Sequence, residues 1–267
     1  MERIKRINRS DDINALTAAN FPFLKHAYTI ASFPGSGANH TGVVNDLIGN
    51  AHINAGSTWA TDYQAGIKGF SPPVGAVLAH NYTTQNPWAI IATQKVKVVI
   101  VVGYYSSGFF TIVPALALGY GGAGDGITLD PDTVTAGKSD ATHGGSSVNA
   151  VVTPGANATH NVHAIVIPAF GASVNVAATY YSCNASTTGV QVATTGAANL
   201  DWISPWNISQ NISFASTGSG SHKYKGVYIG EFAKNNGISN AGFWANVLRW
   251  MVNNPTSGLP PILKGIT

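Results

Sequence analysis

The sequence predicts an all-β protein with one short helix near its C-terminus. Runs rich in β-branched and aromatic residues recur along the chain, and the clearest of them, residues 96–105, is VKVVIVVGYY. Such residues fit the pleated, half-buried surface of a sheet. Apolar residues recur at helical spacing in only one convincing stretch, residues 239–253. Strands are therefore expected to outnumber helices greatly.

The first thirty residues show no convincing period of helix or strand. They mix charged and polar residues with the pair Phe21 and Phe23. A good part of the basic residues lies at the very start, namely Arg3, Lys5, Arg6 and Arg9. Residues 1–30 are therefore interpreted as an extended arm that a partner orders. The main domain is expected to span 31–255, and residues 256–267 are interpreted as a C-terminal tail.

Short strands are predicted at 28–33 and within 43–77. The second of these stretches contains Trp59, Tyr63 and Phe70. Exposed rings would be suited to stacking on sugars, but a sandwich also needs aromatic residues in its core. The core is the favoured location of these rings.

The most strand-like part of the chain is residues 88–93 together with 95–105. Its β-branched run is too long for a lone edge strand, so central strands are predicted, with a bend at Gly103. Further strands are predicted downstream, at 162–170, 174–182 and 189–195.

A glycine-rich stretch at 119–140 is predicted to be a loop. It carries four aspartates, Asp125, Asp130, Asp132 and Asp140. Several oxygen ligands in one loop would suit calcium, but a glycine-rich calcium-binding repeat needs stacked copies and no second copy follows. A hairpin loop without a metal is the favoured interpretation. Residues 142–158 are interpreted as a further polar, flexible stretch.

The stretch 224–254 joins a strand to a helix with clear punctuation. Residues 227–232 alternate with the period of a strand, and 234–237 has the turn composition Lys-Asn-Asn-Gly. Ser239 is placed to cap the helix. Apolar residues then recur at helical spacing, at Phe243, Val247, Trp250 and Met251. This apolar face, Trp250 included, is expected to be buried.

The order Ile229-Gly230-Glu231-Phe232, a short polar turn, Ile238-Ser239 and a helix resembles the closing segment of laminin-G and concanavalin A-like domains. In that family a glycine-led strand with an acidic residue precedes a Leu-Ser pair and a short helix, commonly the last elements of a jelly-roll sandwich. Here the turn is shorter, and polar Asn235 stands where the family has an aromatic residue. The resemblance implies an antiparallel jelly-roll sandwich, which by itself specifies no function.

Composition excludes several classes of function. Only 9% of residues are charged while 45% are hydrophobic, so a neutral, polar surface is expected. The formal charge of +3 provides no extended basic patch beyond the N-terminal residues, which argues against nucleic acid as a partner. The single cysteine, Cys183, is expected to be a buried thiol. Neither a secretory signal nor a membrane-spanning segment is predicted.

The sequence contains no recognisable catalytic constellation. Glycosidases use two neighbouring carboxylic acids, but Glu2 and Glu231 are the only glutamates. Residues 218–222 do not match the spacing of a nucleophile elbow. His160 and His163 are the closest pair of histidines, and on a strand their spacing points them to opposite faces, so a metal site would need distant partners. A non-enzyme without cofactor or metal is predicted.

The best candidate for a recognition site is a predicted loop that contains two tryptophans. Trp202 and Trp206 lie in it next to Asp201 and Asn207. Flat apolar rings beside polar groups are what sugar hydroxyls and ring faces require. The favoured alternative is that one ring caps the sandwich and only the other is accessible.

These features predict a non-enzymatic structural or adhesion protein of a virion, by analogy a head decoration, fibre or tail-tip protein of a bacteriophage. The expected partners are other virion proteins, reached through residues 1–30, further copies of the chain, and a cell-surface glycan. One alternative is a carbohydrate-binding module, and a polysaccharide-cleaving enzyme is less favoured. Assembly without any ligand favours the first function, whereas glycan binding without product release separates the second from the third.

Overall fold

The computed structural model of the protein describes residues 16–33, 39–49, 52–61, 67–71, 77–79, 95–105, 116–121, 125–130, 137–143, 146–152, 160–167, 179–184, 191–194, 212–215, 222–233 and 241–267. These residues contain fourteen strands and one α-helix.

The strands are β1 (Leu24–Thr29), β2 (Asn39–Val44), β3 (Ile53–Ala60), β4 (Val77–Ala79), β5 (Lys95–Tyr105), β6 (Leu116–Gly121), β7 (Asp125–Asp130), β8 (Gly137–His143), β9 (Ser146–Val152), β10 (His160–Ile167), β11 (Thr179–Asn184), β12 (Gln191–Thr194), β13 (Ile212–Ala215) and β14 (His222–Ala233). The helix, α1, spans Ala241–Asn253, and single 3-10 turns lie at Ile30–Ser32 and Pro261–Leu263.

The described strands pair antiparallel throughout and form two sheets and a ribbon. The first sheet has the order β1-β14-β5-β10-β11-β12, the second has the order β4-β13-β6-β7-β8-β9, and β2 pairs with β3 alone. Strand β9 of the second sheet also contacts β11 and β12 of the first. The predicted class, antiparallel β-structure with one short helix, is confirmed.

Strand β5 occupies the middle of the first sheet, as its apolar sequence predicts. Its residues from Val98 to Val102 are almost fully buried even though they alternate between the two faces. Both faces of the sheet are therefore covered. The predicted irregularity near Gly103 falls instead in the partner strand, where the register of β14 shifts between Tyr224 and Gly226.

The interpretation of residues 1–30 as an arm is wrong for residues 16–30. Strand β1 pairs with β14 at the edge of the first sheet. Phe21 and Phe23 are buried, and the ring of Phe23 stacks on that of Phe232 at 4.5 Å between centroids. The irregular sequence hides this role because the partner strand lies about two hundred residues away in the chain, beyond the reach of a local pattern.

The C-terminal residues also belong to the core. Leu259 and Leu263 are buried, and the amide of Ala233 at the end of β14 donates to the Thr267 carbonyl over 3.1 Å. Residues 256–267, predicted to be a tail outside the domain, therefore close the same core.

The helix and the predicted burial of Val247 and Met251 are confirmed, but Phe243 and Trp250 are buried only in part. Trp244, Val247, Leu248 and Met251 are buried against the first sheet, whereas Phe243 and Trp250 are partly buried at the edge of the core. Large rings have the same apolar character wherever they lie on the helix, so the sheet decides which of them is covered. Ser239 and the predicted turn at 234–237 lie outside the described residues.

The predictions for the middle of the chain have mixed outcomes. Strands β10, β11 and β12 confirm three predicted strands, with shorter or shifted bounds. The predicted loop at 119–140 instead contains the end of β6, all of β7 and the start of β8, and the stretch 142–158 contains β9. Backbone pairing with neighbouring strands overrides the low strand propensity of Gly and Asp. Residues 88–93 and Asp132 lie outside the described residues.

Two predicted core assignments are confirmed, namely Trp59 with Phe70 and Cys183, all buried. Trp59 and Phe70 pack with Phe33 and Tyr224 in one aromatic cluster. Tyr63 lies outside the described residues. Within the described residues, α1 falls short of the length and hydropathy that a membrane-spanning helix needs.

Candidate functional site

The four residues predicted to bind a glycan, Asp201, Trp202, Trp206 and Asn207, lie outside the described residues. The loop therefore stays a sequence-based prediction. Within the described residues, ionisable side chains meet in three places: an aspartate–histidine pair, a glutamate between two lysines, and a cavity lined by lysines.

The aspartate–histidine pair joins the segment after β2 to strand β1. The Nδ1 atom of His26 lies 2.6 Å from Oδ2 of Asp46, and the other carboxylate oxygen accepts hydrogen bonds from the amides of Ala27 and Ile48 at 3.0 and 3.1 Å. The amide of Leu47 adds a backbone bond to the Ala27 carbonyl at 3.0 Å. The carboxylate thus holds this segment against the sheet.

Electrostatics at Asp46 favour the ionised carboxylate. Burial raises its pKa, but the hydrogen bond and charge of His26, with the amides of Ala27 and Gly49, outweigh burial and hold the pKa below its ordinary value. A carboxylate that orients an imidazole is also part of many catalytic triads. Here the side chains of His26 and Asp46 are 4% and 0% exposed, so a substrate would have no access to the pair.

Glu231 lies on β14, at 6% exposure, between two lysines. Its Oε1 atom accepts a hydrogen bond from Lys95 at 2.9 Å and lies 3.3 Å from the ammonium of Lys25. The Glu231 amide donates to the Phe23 carbonyl at 2.9 Å. Two cations offset the cost of burying this carboxylate, and they tie β1 and β5 to the strand between them.

His160 and His163 lie on β10 and point to opposite faces, as their spacing predicts. Burial lowers the pKa of His163 to about 3. Burial, and then the nearby charge of Lys225, lowers the pKa of His160 to about 4. The Met251 carbonyl lies close enough to oppose this shift slightly, but neither ring nitrogen of His160 makes a hydrogen bond of ordinary geometry. Both imidazoles are therefore neutral at pH 7.

A cavity of about 100 Å³ lies between β14, the end of α1 and residues 256–264. Its floor includes Phe21, Tyr228 and Leu259, which are buried, and the half-buried ring of Trp250 forms part of its wall. Residues from separate parts of the chain thus converge on one apolar hollow.

Three lysines line the same cavity: Lys68, Lys225 and Lys264. Lys225 is the extra residue of the β14 bulge, and a bulge turns a side chain away from the regular alternation of its strand. Its ammonium donates to the Ser257 carbonyl, and burial lowers its pKa to about 8. Lys68 and Lys264 are exposed at the rim.

Two of the three ionisable places, the aspartate–histidine pair and the cavity, escape sequence analysis for different reasons. His26 and Asp46 are twenty residues apart with no motif between them. The cavity draws on five separate segments, so no local spacing marks it. One signal was present at Lys225, where a lysine stands between Tyr224 and the apolar residues 226–230 of the strand. A charge at such a position indicates a bulge or a buried cation.

Within the part of the chain that the structure describes, no three His, Cys, Asp or Glu side chains are placed to hold a metal ion. Comparison with models of known protein families and with curated proteins finds no match to this chain.

Proposed function

We propose that the protein is a non-enzymatic structural or adhesion component of a virion, built on a concanavalin A-like jelly-roll sandwich. The observation that carries the proposal is the state of the carboxylates. Glu231, one of only two glutamates in the chain, is buried and bound to two lysines, and Asp46 is fully enclosed with His26. General acid–base chemistry on a sugar needs carboxylic acids that face the substrate.

Sheet topology supports the jelly-roll part of the proposal. The chain leaves the first sheet after β5, builds β6 to β9 in the second, and returns for β10 to β12. It then visits the second sheet at β13 before ending in the first at β14. Alternation between two antiparallel sheets is the connectivity of Greek-key sandwiches. The buried face of the first sheet opposite α1 is consistent with a second layer packed there.

Assembly is proposed to depend on the basic N-terminal residues. Residues 16–30 belong to the core, so the segment suited to meeting a partner is reduced to residues 1–15, where Arg3, Lys5, Arg6 and Arg9 cluster. Basic side chains in such a segment would meet an acidic surface on a neighbouring subunit.

Native mass spectrometry and particle imaging test this assembly. The full chain is expected to form a defined oligomer, and a chain without residues 1–15 is expected to keep its melting temperature but lose the oligomer. A matched control replaces Arg3, Lys5, Arg6 and Arg9 by glutamine at unchanged length, which should reproduce the loss if charge is the cause. A full chain that stays monomeric at every concentration would contradict the proposal.

The non-enzymatic part is tested by incubation with a panel of bacterial surface polysaccharides. No new reducing ends should form over hours with the intact protein. Cleavage by the intact protein would contradict the proposal, and Glu231→Gln would then show whether Glu231 or another carboxylate performs the chemistry.

Glycan binding by the tryptophan-bearing loop is proposed as part of the adhesion role, on the sequence observation alone. Trp202→Ala and Trp206→Ala are expected to abolish binding on a glycan array with little change in melting temperature. Trp250→Ala is the matched control: it removes a tryptophan ring from α1 rather than from the loop, and it should leave glycan binding unchanged. Early unfolding of both loop variants, or wild-type binding, would mean that these rings are packing residues.

A further inference from the structure

We propose that the cavity beside Lys225 binds a small organic anion, with its acidic head group at the lysines and a short apolar body on the ring-lined floor. This site is independent of the proposed virion role and of the tryptophan-bearing loop. The chemistry of the lining residues identifies the ligand class.

Charge in the cavity is unbalanced. Lys68, Lys225 and Lys264 supply three ammonium groups, and none of the described residues that line the cavity carries a carboxyl group. By contrast, Lys25 and Lys95 are both paired with the carboxylate of Glu231. Lys225 is half-buried, and a cation drawn out of water is ordinarily neutralised by a partner charge, so an anionic ligand would complement it.

Hydrogen-bonding capacity remains at the head-group end. An ammonium has three hydrogen-bond donors, and Lys225 uses one of them to donate to the Ser257 carbonyl. That bond holds the side chain at the cavity wall rather than in bulk water. Thr29 and Thr256 also line the cavity, and a hydroxyl donor from either would complete the coordination of a carboxylate or phosphate.

The floor requires an apolar body on the ligand. Phe21 and Leu259 are buried carbon surfaces, and the Tyr228 ring lies so close to Gly226 that an added Cβ there would meet its hydroxyl at 2.5 Å. Close packing therefore restricts the Tyr228 ring before any ligand enters. A closed apolar cavity of about 150 Å³ accommodates benzene in another protein, so about 100 Å³ that opens toward exposed lysines suits a small ring or short chain with its acid at the rim.

The pH dependence of binding follows from the same geometry. The ionisable groups that face Lys225 are His160 on β10, Tyr228 on β14, Lys68, and Lys264 after the last 3-10 turn. His160 is neutral at pH 7, and burial raises the pKa of the Tyr228 phenol. Lys225 loses its proton near pH 8 in the empty cavity, and a bound anion would raise that pKa. Above the second pKa of a phosphate monoester, which is about 6, affinity should thus be constant up to about pH 8 and fall at higher pH.

Isothermal titration calorimetry on the full chain, with four probes, tests the site. Phenyl phosphate and benzoate carry both an acid and a ring, inorganic phosphate carries only the acid, and benzyl alcohol carries only the ring. We expect the first two to bind about tenfold more tightly than either of the others. Inorganic phosphate binding as tightly as phenyl phosphate, or benzyl alcohol as tightly as benzoate, would overturn the proposal, as would no heat from any probe at about 10 mM.

Matched lysine variants locate the site. Lys225→Met keeps the aliphatic stem and removes the charge, and it should weaken phenyl phosphate binding by about tenfold and abolish the fall in affinity above pH 8. Lys223→Met, on the same strand but outside the cavity lining, should leave binding unchanged. If Lys225→Met does not fold, the rim variant with Lys68→Met and Lys264→Met takes its place, and wild-type affinity in that variant would refute the site.

Discussion

The two faces of the first sheet are both buried, but they are closed by different chemistry. The face toward α1 packs aliphatic and aromatic side chains from the helix, from alternate residues of β5 and β10, and from the segments near both ends of the chain. The opposite face buries His26, His163 and Glu231 beside the aromatic cluster of Trp59 and its neighbours. The stability of the helix-side face depends on close packing of apolar side chains. The stability of the opposite face depends on the partners of its ionisable groups.

The difference between the two faces indicates where the described part of the fold can bind a charged ligand. On the polar face the carboxylates of Asp46 and Glu231 are already paired with a histidine or with lysines. On the apolar face, the cationic side chain of Lys225 enters at a bulge and meets a cavity instead of a carboxylate. Changes in side-chain volume should therefore lower stability most on the helix side. Changes of pH should alter stability on both sides through their buried histidines.

Removing volume beneath the helix should have the largest effect. Trp244 is fully buried, so Trp244→Ala is expected to lower the free energy of unfolding by about 3 to 5 kcal/mol. Trp250→Ala, at the half-buried edge of the same helix, should cost less than half as much. Chemical denaturation followed by circular dichroism measures both, and equal losses would show that the helix does not pack by this face.

Acidification should destabilise both faces, because His160 and His163 lie on opposite sides of β10. Their pKa values of about 4 and about 3 lie below the ordinary 6.5, so the unfolded chain binds more protons than the folded one between these limits. Stability should fall by about 2 kcal/mol for each histidine as the pH drops from 7 to about 4.5. The pH dependence of unfolding should be weaker in His163→Asn and in His160→Asn, and unchanged slopes would contradict these shifts.

Adding volume where β1 meets β14 should have a smaller effect. A Cβ on Gly230 would lie 2.6 Å from the Phe23 ring and 2.7 Å from the Phe23 carbonyl oxygen, and that backbone atom has little freedom to move. Gly230→Ala is therefore expected to cost about 1 to 3 kcal/mol. Gly258→Ala is the matched control, because nothing lies within 4 Å of its added carbon. Equal melting temperatures for the two variants would mean that β1 can shift away.

The smallest effect is expected at the ion pairs of the polar face. Glu231→Gln removes the charge and keeps the shape, and both lysine partners are more than one-third exposed. The expected loss of stability is about 1 kcal/mol, and it should shrink at high salt. Thermal unfolding at low and high ionic strength measures this, and a loss as large as that of Trp244→Ala would remove the distinction between the two faces.

Local pattern was sufficient for the elements that carry their own period. The alternation of residues 227–232, the β-branched run at 95–105 and the helix near residue 241 are all present in the structure. Burial of Trp59 and Cys183 also follows from residue type, because large rings and thiols are seldom left in water. Periodicity reports how a segment divides its faces, and this is a property of the sequence alone.

The candidate site could not be predicted from local sequence patterns. Its cavity forms where separate segments meet, and its key side chain, Lys225, enters only because β14 has one residue more than β5 at that point. The regular alternation read from the sequence placed no residue in a bulge. Whether a residue is inserted as a bulge depends on the register between two paired strands. The sequence of one strand does not contain this information.

The sequence by itself therefore determined the β-rich class, the central strand β5 and the helix at Ala241–Asn253, since each depends on the spacing of neighbouring residues. Tertiary structure alone decided that residues 16–30 and 256–267 belong to the core, and that Trp244 rather than Trp250 is the ring beneath the helix. It also decided that His26 meets Asp46. These contacts join residues far apart in the chain, and their energies come from burial and pairing that exist only after the chain has folded.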